Sequence, residues 1–314
     1  MKIVMTGATG LVGTALVKTL SADGHMIYRL VRHGKQKNDS EKLHNVVDVP
    51  WDTTDEQGEG ALAAVDQADE PIAAVNLAGA SIVEGRWTEE RKALLRSSRI
   101  DTTRRLVESF AKTKKRPSVL VSASAIGCYG NRGDEVLTED SEVGADFLAK
   151  LAMDWETEAL KARALGVRIV LARFGIILAK NGGALPAMMK PFKFGLGGKL
   201  GSGKQWMSWV ALDDVVQIIK RGLLEDRFRG AVNVVAPEPV RNSEFTEVLA
   251  KAMHRKAIFS APAVALRLTM GEMADALLLV SQRVVSRRLQ ERGYAFTHPK
   301  LEETLRVILD SPSV

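Results

Sequence analysis

Residues 1–13 read Met1-Lys-Ile-Val-Met-Thr-Gly-Ala-Thr-Gly-Leu-Val-Gly13. The apolar run Ile3–Met5 predicts a short strand that enters glycines at 7, 10 and 13 directly. The spacing of Leu16, Val17 and Leu20 predicts an amphipathic helix after them. A turn this tight needs a residue without Cβ, and a diphosphate approaches backbone only where no side chain blocks it. The following helix then offers unpaired N–H groups and a partial positive charge. Gly7, Thr9, Gly10, Leu11, Val12 and Gly13 are therefore candidate diphosphate contacts. A second strand, Met26–Val31, completes a βαβ unit. A glycine-rich turn that binds nothing is the alternative reading of the same residues.

The bulk numbers restrict the function classes. A chain of 314 residues buries a large core and makes one large or two modest domains; 46% hydrophobic and 26% charged residues are ordinary for a globular protein. The single cysteine, Cys128, excludes a disulfide framework and suits a reducing, cytoplasmic compartment. Met1 leads straight into the first strand, so no leader is expected, and no apolar run approaches the roughly 18 residues that span a bilayer. No metal site is expected. Lysine plus arginine exceeds aspartate plus glutamate by 44 to 38, a balance that suits either nucleic acid or an anionic cofactor. The basic residues are scattered and only 5% of residues are aromatic, which argues against a base-stacking surface. The runs Lys112–Arg116 and Arg283…Arg287-Arg288 read as a helix end and a solvated helix face.

Strand-like runs alternate with helix-like stretches along the rest of the chain. Further strands are expected at Val46–Val49, Ala73–Leu77, Val119–Val121 and Val167–Leu171, with long helices at about Thr88–Thr113 and Phe147–Leu165. Strand–helix alternation implies right-handed crossovers and a parallel sheet covered on both faces, binding its ligand beyond the carboxyl ends of its strands. After about residue 180 the texture changes to a glycine-dense stretch, Gly195–Gly203. A helix from Asp213 and a strand Ala231–Val235 follow, then helices at Ser243–Met253, Ala263–Val285 and Pro299–Leu309. The expected division is a nucleotide-binding domain over 1–180, to which 205–225 returns, and a smaller, mostly helical lobe over 181–314.

Several stretches together resemble one superfamily. They are Thr6–Gly13, Ala74–Gly79, Ser122–Gly130, Asp154-Trp-Glu156, Arg173–Leu178, Gly195…Trp206, Trp209–Val215 and the terminal run Gln282–Phe296. The chain is similar to the extended short-chain dehydrogenases/reductases, and within them to an atypical NAD-dependent epimerase/dehydratase branch whose members were formerly labelled cell-division inhibitors. The resemblance covers nearly the whole chain. It implies a Rossmann-type doubly wound α/β sheet with a smaller C-terminal lobe.

Cofactor choice follows from the end of the second strand. NAD binders of this fold place a carboxylate there, which accepts from the ribose hydroxyls and repels a 2′-phosphate. Here the strand ends in Arg32, followed by His33. A guanidinium offers paired planar donors to phosphate and stacks on adenine, so NADP(H) is expected over NAD(H). A solvated loop arginine is the alternative. Asn76, Leu77 and Ala78, at the end of the fourth strand, are expected beside the adenosine half, although Asn76 also suits a turn cap.

The resemblance implies a catalytic serine, a tyrosine, and a lysine four residues after the tyrosine. Ser124 fills the serine position, with Ser122 as runner-up. Leu148 and Ala152 stand at the tyrosine and lysine places, and Arg99 replaces a usual asparagine. Tyr129 is the leading substitute acid/base, with Glu139 or Asp140 behind it; a packed tyrosine is the alternative. Arg99 and Glu156 are expected as cofactor contacts, a pair able to fix ribose hydroxyls or to serve as a plain ion pair. Lys199, Lys204, Gln205, Trp206 and Arg173 are expected to face an anionic or hydroxylated small-molecule substrate; a rigid glycine-rich turn with solvated lysines is the alternative. The expected function is an NADP(H)-dependent oxidoreductase or epimerase-like enzyme, monomeric or dimeric through the two long helices. A non-catalytic NADP(H)-binding redox sensor is the alternative.

Overall fold

A computed structural model describes residues 1–32, 43–51 and 71–310. His33, the sequel to Arg32, lies outside them. Seven parallel strands form the main sheet: β1 Lys2–Thr6, β2 Met26–Val31, β3 Val46–Pro50, β4 Ile72–Asn76, β5 Val119–Ala125, β6 Arg168–Phe174 and β7 Gly230–Val234. Their order across the sheet is β7-β6-β5-β4-β1-β2-β3. The order reverses beside β1, which opens a crevice beyond the carboxyl ends of β1 and β4.

Alternation along each strand divides the apolar residues between two faces. Ile3 and Met5 face one side, with Ala73, Val75, Val119 and Val121. That side is covered by Leu16, Val17 and Leu20 of α1 (Leu11–Ala22) and by Val215, Ile219 and Leu223 of a later helix, Leu212–Leu224. Val4, Ile72, Ala74 and Leu120 face the other side. There they meet Leu106, Val107 and Phe110 of α2 (Glu89–Ala111) and Ala159 of α3 (Phe147–Leu160). The remaining helices are α4 Leu185–Lys193, α5 Leu212–Leu224, α6 Asn242–Ala252, α7 Ala263–Met270, α8 Arg287–Glu291 and α9 Leu301–Asp310. A second core, built on Leu178, Phe192, Trp209, Phe245, Leu249 and Leu305, lies among α4, α6 and α9. No helix among the described residues is long and apolar enough to cross a membrane.

The ends of the long helices have local causes. Thr88 caps α2 by accepting from the Arg91 N–H at 3.2 Å, and Asp146 caps α3 by accepting from the Ala149 N–H at 2.8 Å. After Leu160 the chain tightens into a 3₁₀ turn, Lys161–Leu165, and Gly166 ends it in the left-handed region. The helix expected over Ala263–Val285 is broken. Gly271, at φ +62°, ends α7, a π turn follows at Ala274–Leu278, and Arg283–Val284 are extended. The apolar spacing of this stretch is helical, but a left-handed glycine does not continue a right-handed helix.

Two buried polar residues tie remote segments together. The Asn76 amide, without accessible surface, donates to Thr103 (2.7 Å) and Ser122 (3.2 Å) and accepts from Thr6 (2.7 Å). It thereby locks the ends of β1, β4 and β5 to α2. The Asn76 side chain is thus committed inside the protein, neither capping a turn nor free for a ligand. Asp214, equally buried, accepts from the Tyr294 hydroxyl (2.9 Å) and from the N–H groups of Thr297 (2.9 Å) and His298 (3.0 Å). It anchors the chain entering α9 to the start of α5. Asn76→Leu strands a buried threonine hydroxyl and a buried serine hydroxyl, so urea denaturation should show a loss of about 2–4 kcal/mol. A change within experimental error would mean that these hydroxyls find other partners.

Candidate functional site

The turn between β1 and α1 is built for close approach. Gly7 sits at φ +67°, and a Cβ there would lie 2.7 Å from the backbone nitrogen of Ala78. A Cβ on Gly13 would lie 2.7 Å from the Cα of Ala8. These two glycines are internal packing requirements, since something must move if either carries a side chain. Gly10 differs: a Cβ there meets only the Gly7 carbonyl, at 3.4 Å, and the residue is exposed beside exposed Thr9. Gly10 is the N-cap of α1 and no side chain caps it, so the first amides of the helix, from Leu11 onward, keep unpaired N–H groups. The concave, uncapped, Cβ-free surface at Gly10 fits a diphosphate.

Close packing of Gly7 on Ala78 brings the strip Leu77-Ala78-Gly79 against this turn. Arg99 borders the strip from α2: a Cβ on Gly79 would lie 3.0 Å from the guanidinium carbon. Arg99 donates to the carbonyls of Ala80 (3.0 Å) and Leu95 (3.2 Å), and its guanidinium carbon lies 5.3 Å from the centre of the Trp155 ring. Burial first, and then the charge of Arg91, lower its pKa to about 10. Arg99 has no carboxylate partner among the described residues. It remains a cation at the rim of the crevice. Arg32, exposed at the end of β2, likewise has no hydrogen-bond or ion-pair partner among the described residues.

Glu156 is not Arg99's partner, contrary to expectation. It pairs with Arg173 of β6 through two parallel bonds, Nε to Oε1 at 2.7 Å and Nη2 to Oε2 at 2.8 Å. Both side chains are buried. Burial works to lower the Arg173 pKa, but the hydrogen bonds and charge of Glu156 outweigh it and raise the value. Glu156 also accepts from the Ser124 hydroxyl at 2.6 Å. Arg173 therefore holds a carboxylate in the interior and does not reach toward a substrate. Glu156 lies within α3 and Arg173 near the end of β6, and their facing positions depend on how α3 crosses β5 and β6.

Tyr129 completes this network from the 3₁₀ turn Ile126–Tyr129. Its hydroxyl accepts from Arg173 (3.0 Å) and donates to the Asn233 side-chain carbonyl (2.7 Å), and the residue has no accessible surface. Burial raises its pKa despite the adjacent Arg173 cation. A phenol committed at both hydrogen-bonding positions does not shuttle protons, so Tyr129 is a buried anchor. Glu139 is another anchor, accepting from the Asn233 N–H (3.0 Å) and the Ser286 hydroxyl (3.1 Å), and Asp140 pairs with Arg287 and Arg288. Burial pushes the Cys128 thiol up to about 12. Neither Leu148 nor buried Ala152 carries a proton to transfer.

The glycine-dense loop also differs from its expectation. The Gln205 amide donates to the carbonyls of Leu200 (3.1 Å) and Leu278 (3.0 Å). The Trp206 ring lies between the guanidinium groups of Arg241 and Arg283, at 4.0 and 4.4 Å, and its N–H donates to Asp134 at 2.9 Å. Both side chains hold the loop together, while Lys199 and Lys204 remain exposed. Among the described residues no group of three His, Cys, Asp or Glu side chains is arranged to hold a metal ion. Asn233 lies in an expected strand and Ser286 in the run Gln282–Phe296, but neither is a candidate site residue from the sequence, and only tertiary packing turns them toward Tyr129 and Glu139.

Comparison with known proteins follows this geometry. The model of the NAD dependent epimerase/dehydratase family matches residues 3–234, and a domain of unknown function, DUF1731, matches 261–308. The chain is 37% identical over 316 residues to the epimerase family protein YfhF of Bacillus subtilis, covering 100% of each chain. It is 39% identical over 303 residues to the epimerase family protein Mb2239 of Mycobacterium bovis, covering 96% of each. The crystal structure of human epimerase family protein SDR39U1 (isoform2) with NADPH superposes with a TM-score of 0.85 at 30% identity, covering 99% of this chain and 100% of that one. The structure neighbours at 16–18% identity, among them UDP-glucose 4-epimerases, share the fold. By the extent of these matches, and by the β1–α1 turn that begins them, the chain belongs to the NAD dependent epimerase/dehydratase family.

Proposed function

We propose that this chain binds NADP(H) and uses it in oxidation or reduction of a small carbonyl or hydroxylated substrate. The observation that carries this reading is the exposed, uncapped Gly10 at the head of α1, with the unpartnered Arg32 at the end of the neighbouring strand. The human relative's crystal form with NADPH supports the same cofactor. When bound, such a cofactor supplies or accepts a hydride at its nicotinamide. The residues of this chain bind and orient. The amides of Leu11, Val12 and Gly13 meet the diphosphate, and Arg32 gives planar donors to the 2′-phosphate. Leu77, Ala78 and Gly79 let the adenosine half lie against backbone, and Arg99 adds a positive charge at that rim.

Ser124 is the protic group left to the reaction centre. Its proton is held by Glu156 at 2.6 Å, so its oxygen accepts from a substrate hydroxyl instead of donating to a carbonyl. Arg173 keeps Glu156 in that receiving role. A second reading, cofactor binding without turnover, is favoured by the loss of protic side chains at Leu148 and Ala152 and by the burial of Tyr129. In that case NADP(H) occupancy would itself be the signal.

Two measurements test cofactor binding and a third separates turnover from binding alone. By calorimetry, Arg32→Ala should weaken NADPH about 10–100-fold and leave NADH unchanged. Equal losses for both would remove Arg32 from 2′-phosphate recognition. Gly10→Ala should fold with an unchanged melting temperature, because its Cβ has room, yet bind either cofactor at least about tenfold more weakly. Retained affinity would move the diphosphate elsewhere. Across a panel of carbonyl and nucleotide-sugar substrates followed by nicotinamide absorbance, Ser124→Ala should lower kcat/KM about 10²-fold or more while sparing NADPH affinity. Absence of turnover by the unaltered protein on every substrate would favour the binding-only reading.

A further inference from the structure

Five arginines line one pocket at the end of the sheet opposite the Gly7–Gly13 turn. Arg163, Arg168, Arg229, Arg288 and Arg292 surround a cavity of about 840 Å³, and none of its ten lining residues is acidic. Arg168 and Gly230 are the first residues of β6 and β7, so the pocket opens at the amino ends of parallel strands. The cofactor crevice lies beyond the carboxyl ends. The two sites do not overlap.

Two of the arginines are framework. Arg168 donates to the carbonyls of Gly222 (2.8 Å), Leu223 (3.2 Å) and Phe228 (2.6 Å), closing the C-terminal end of α5, and lies 3.4 Å from the Asp226 carboxylate. Arg288 donates to the Ala231 carbonyl (2.6 Å) and to Asp140 (3.0 Å). The other three keep most of their donors. Arg163 is exposed, and its side chain has no hydrogen-bond or ion-pair partner among the described residues. Arg229 makes one bond, to the Asp226 carbonyl at 3.2 Å. Arg292 lies with its guanidinium carbon 4.9 Å from the centre of the Phe228 ring, and its Nη1 is buried without a hydrogen-bond partner.

Concentrating this much like charge is unfavourable without an anion. Burial first, and then Arg288, lower the Arg292 pKa; Glu139 and Glu291 attract it without forming an ion pair. Burial also lowers that of Arg168, with Asp226 opposing and Arg229 adding to the fall. Asp140, Asp226 and Glu291 are paired with Arg287, Arg288 and Arg168, while the buried Glu139 Oε2 and the buried Arg292 Nη1 each lack a hydrogen-bond partner, so Nη1 is a donor without an acceptor. Guanidinium groups at fixed spacing match phosphate oxygens, and the volume falls within the usual range of about 300–1,000 Å³ for small-ligand sites. No aromatic residue lines the pocket, so nothing there stacks on a base.

We propose that this pocket binds a small oligophosphate anion, held by Arg163, Arg229 and Arg292 through its phosphates. Sodium tripolyphosphate is titrated by calorimetry at low salt into protein presaturated with NADPH, with ATP as a parallel arm. One saturable site is expected in each. Equal affinities identify free oligophosphate as the recognised chemistry, and tighter ATP identifies a nucleotide as the source of the same phosphates. An Arg163→Gln/Arg229→Gln variant should weaken both at least about tenfold without changing NADPH affinity or melting temperature, and Arg292→Gln should do the same from the inner wall. Saturated with NADPH, Gly10→Ala should bind tripolyphosphate with unchanged affinity, so failure of the cofactor reading would not be mistaken for failure of this one. No heat in either arm, or affinity indifferent to the arginine variants, overturns the proposal. Tighter retention of a single-stranded oligonucleotide than of tripolyphosphate overturns it as well, in favour of a nucleic-acid surface.

Discussion

The two-bond ion pair between Glu156 and Arg173 organises the interior of this protein. It connects α3 to β6, receives the Ser124 hydroxyl from β5, and reaches through Tyr129 to Asn233 on β7. Two charges taken from water are costly unless geometry is good and the remaining lone pairs are satisfied. Here both oxygens of Glu156 receive the guanidinium fork, one of them receives Ser124 in addition, and Arg173 spends a further donor on Tyr129. Such a network tolerates little displacement, since any one member lost leaves a buried polar group unpaired.

That rigidity has a chemical consequence. The family's resemblance implies a phenol and an ammonium at the positions that here carry Leu148 and Ala152, and the tyrosine nearest in sequence is locked away as a structural hydroxyl. The protic equipment at the end of β5 is thus reduced to one serine whose proton is already assigned. The opposite holds at the crevice beside β1. Gly7 and Gly13 have no room for side chains because backbone fills it, while Gly10 has room that backbone leaves open. One turn thus separates glycines that packing requires from a glycine whose surface stays open.

Positive charge is distributed in two distinct ways. At the crevice, Arg32 and Arg99 are single cations at separate points of a backbone-lined surface, suited to one extended ligand with spaced anionic and polar groups. At the amino ends of β6 and β7, five arginines converge where no acidic residue lines the wall. A net charge of +6 on the whole chain expresses neither arrangement, and both arise from where the sheet ends.

The sequence alone determined the elements whose cause is local. The glycine turn, the apolar runs of the main-sheet strands and the stripe of α2 follow from periodicity and from the few residues that suit such positions. The resemblance spread over these motifs carried the fold and the cofactor class with them. Tertiary structure decided every pairing between distant charges. The resemblance implies Glu156 beside Arg99 as a cofactor contact, yet β6 presents Arg173 to it. Asn76, expected at a ligand, was claimed by Thr6, Thr103 and Ser122. For Tyr129 and for Gln205 and Trp206 the sequence leaves a chemical and a packing role open, because it shows which side chains carry chemistry and not which are buried. Burial and partner choice depend on chain segments a hundred or more residues apart meeting in space, as Tyr129 and Asn233 do, and no local pattern encodes that meeting.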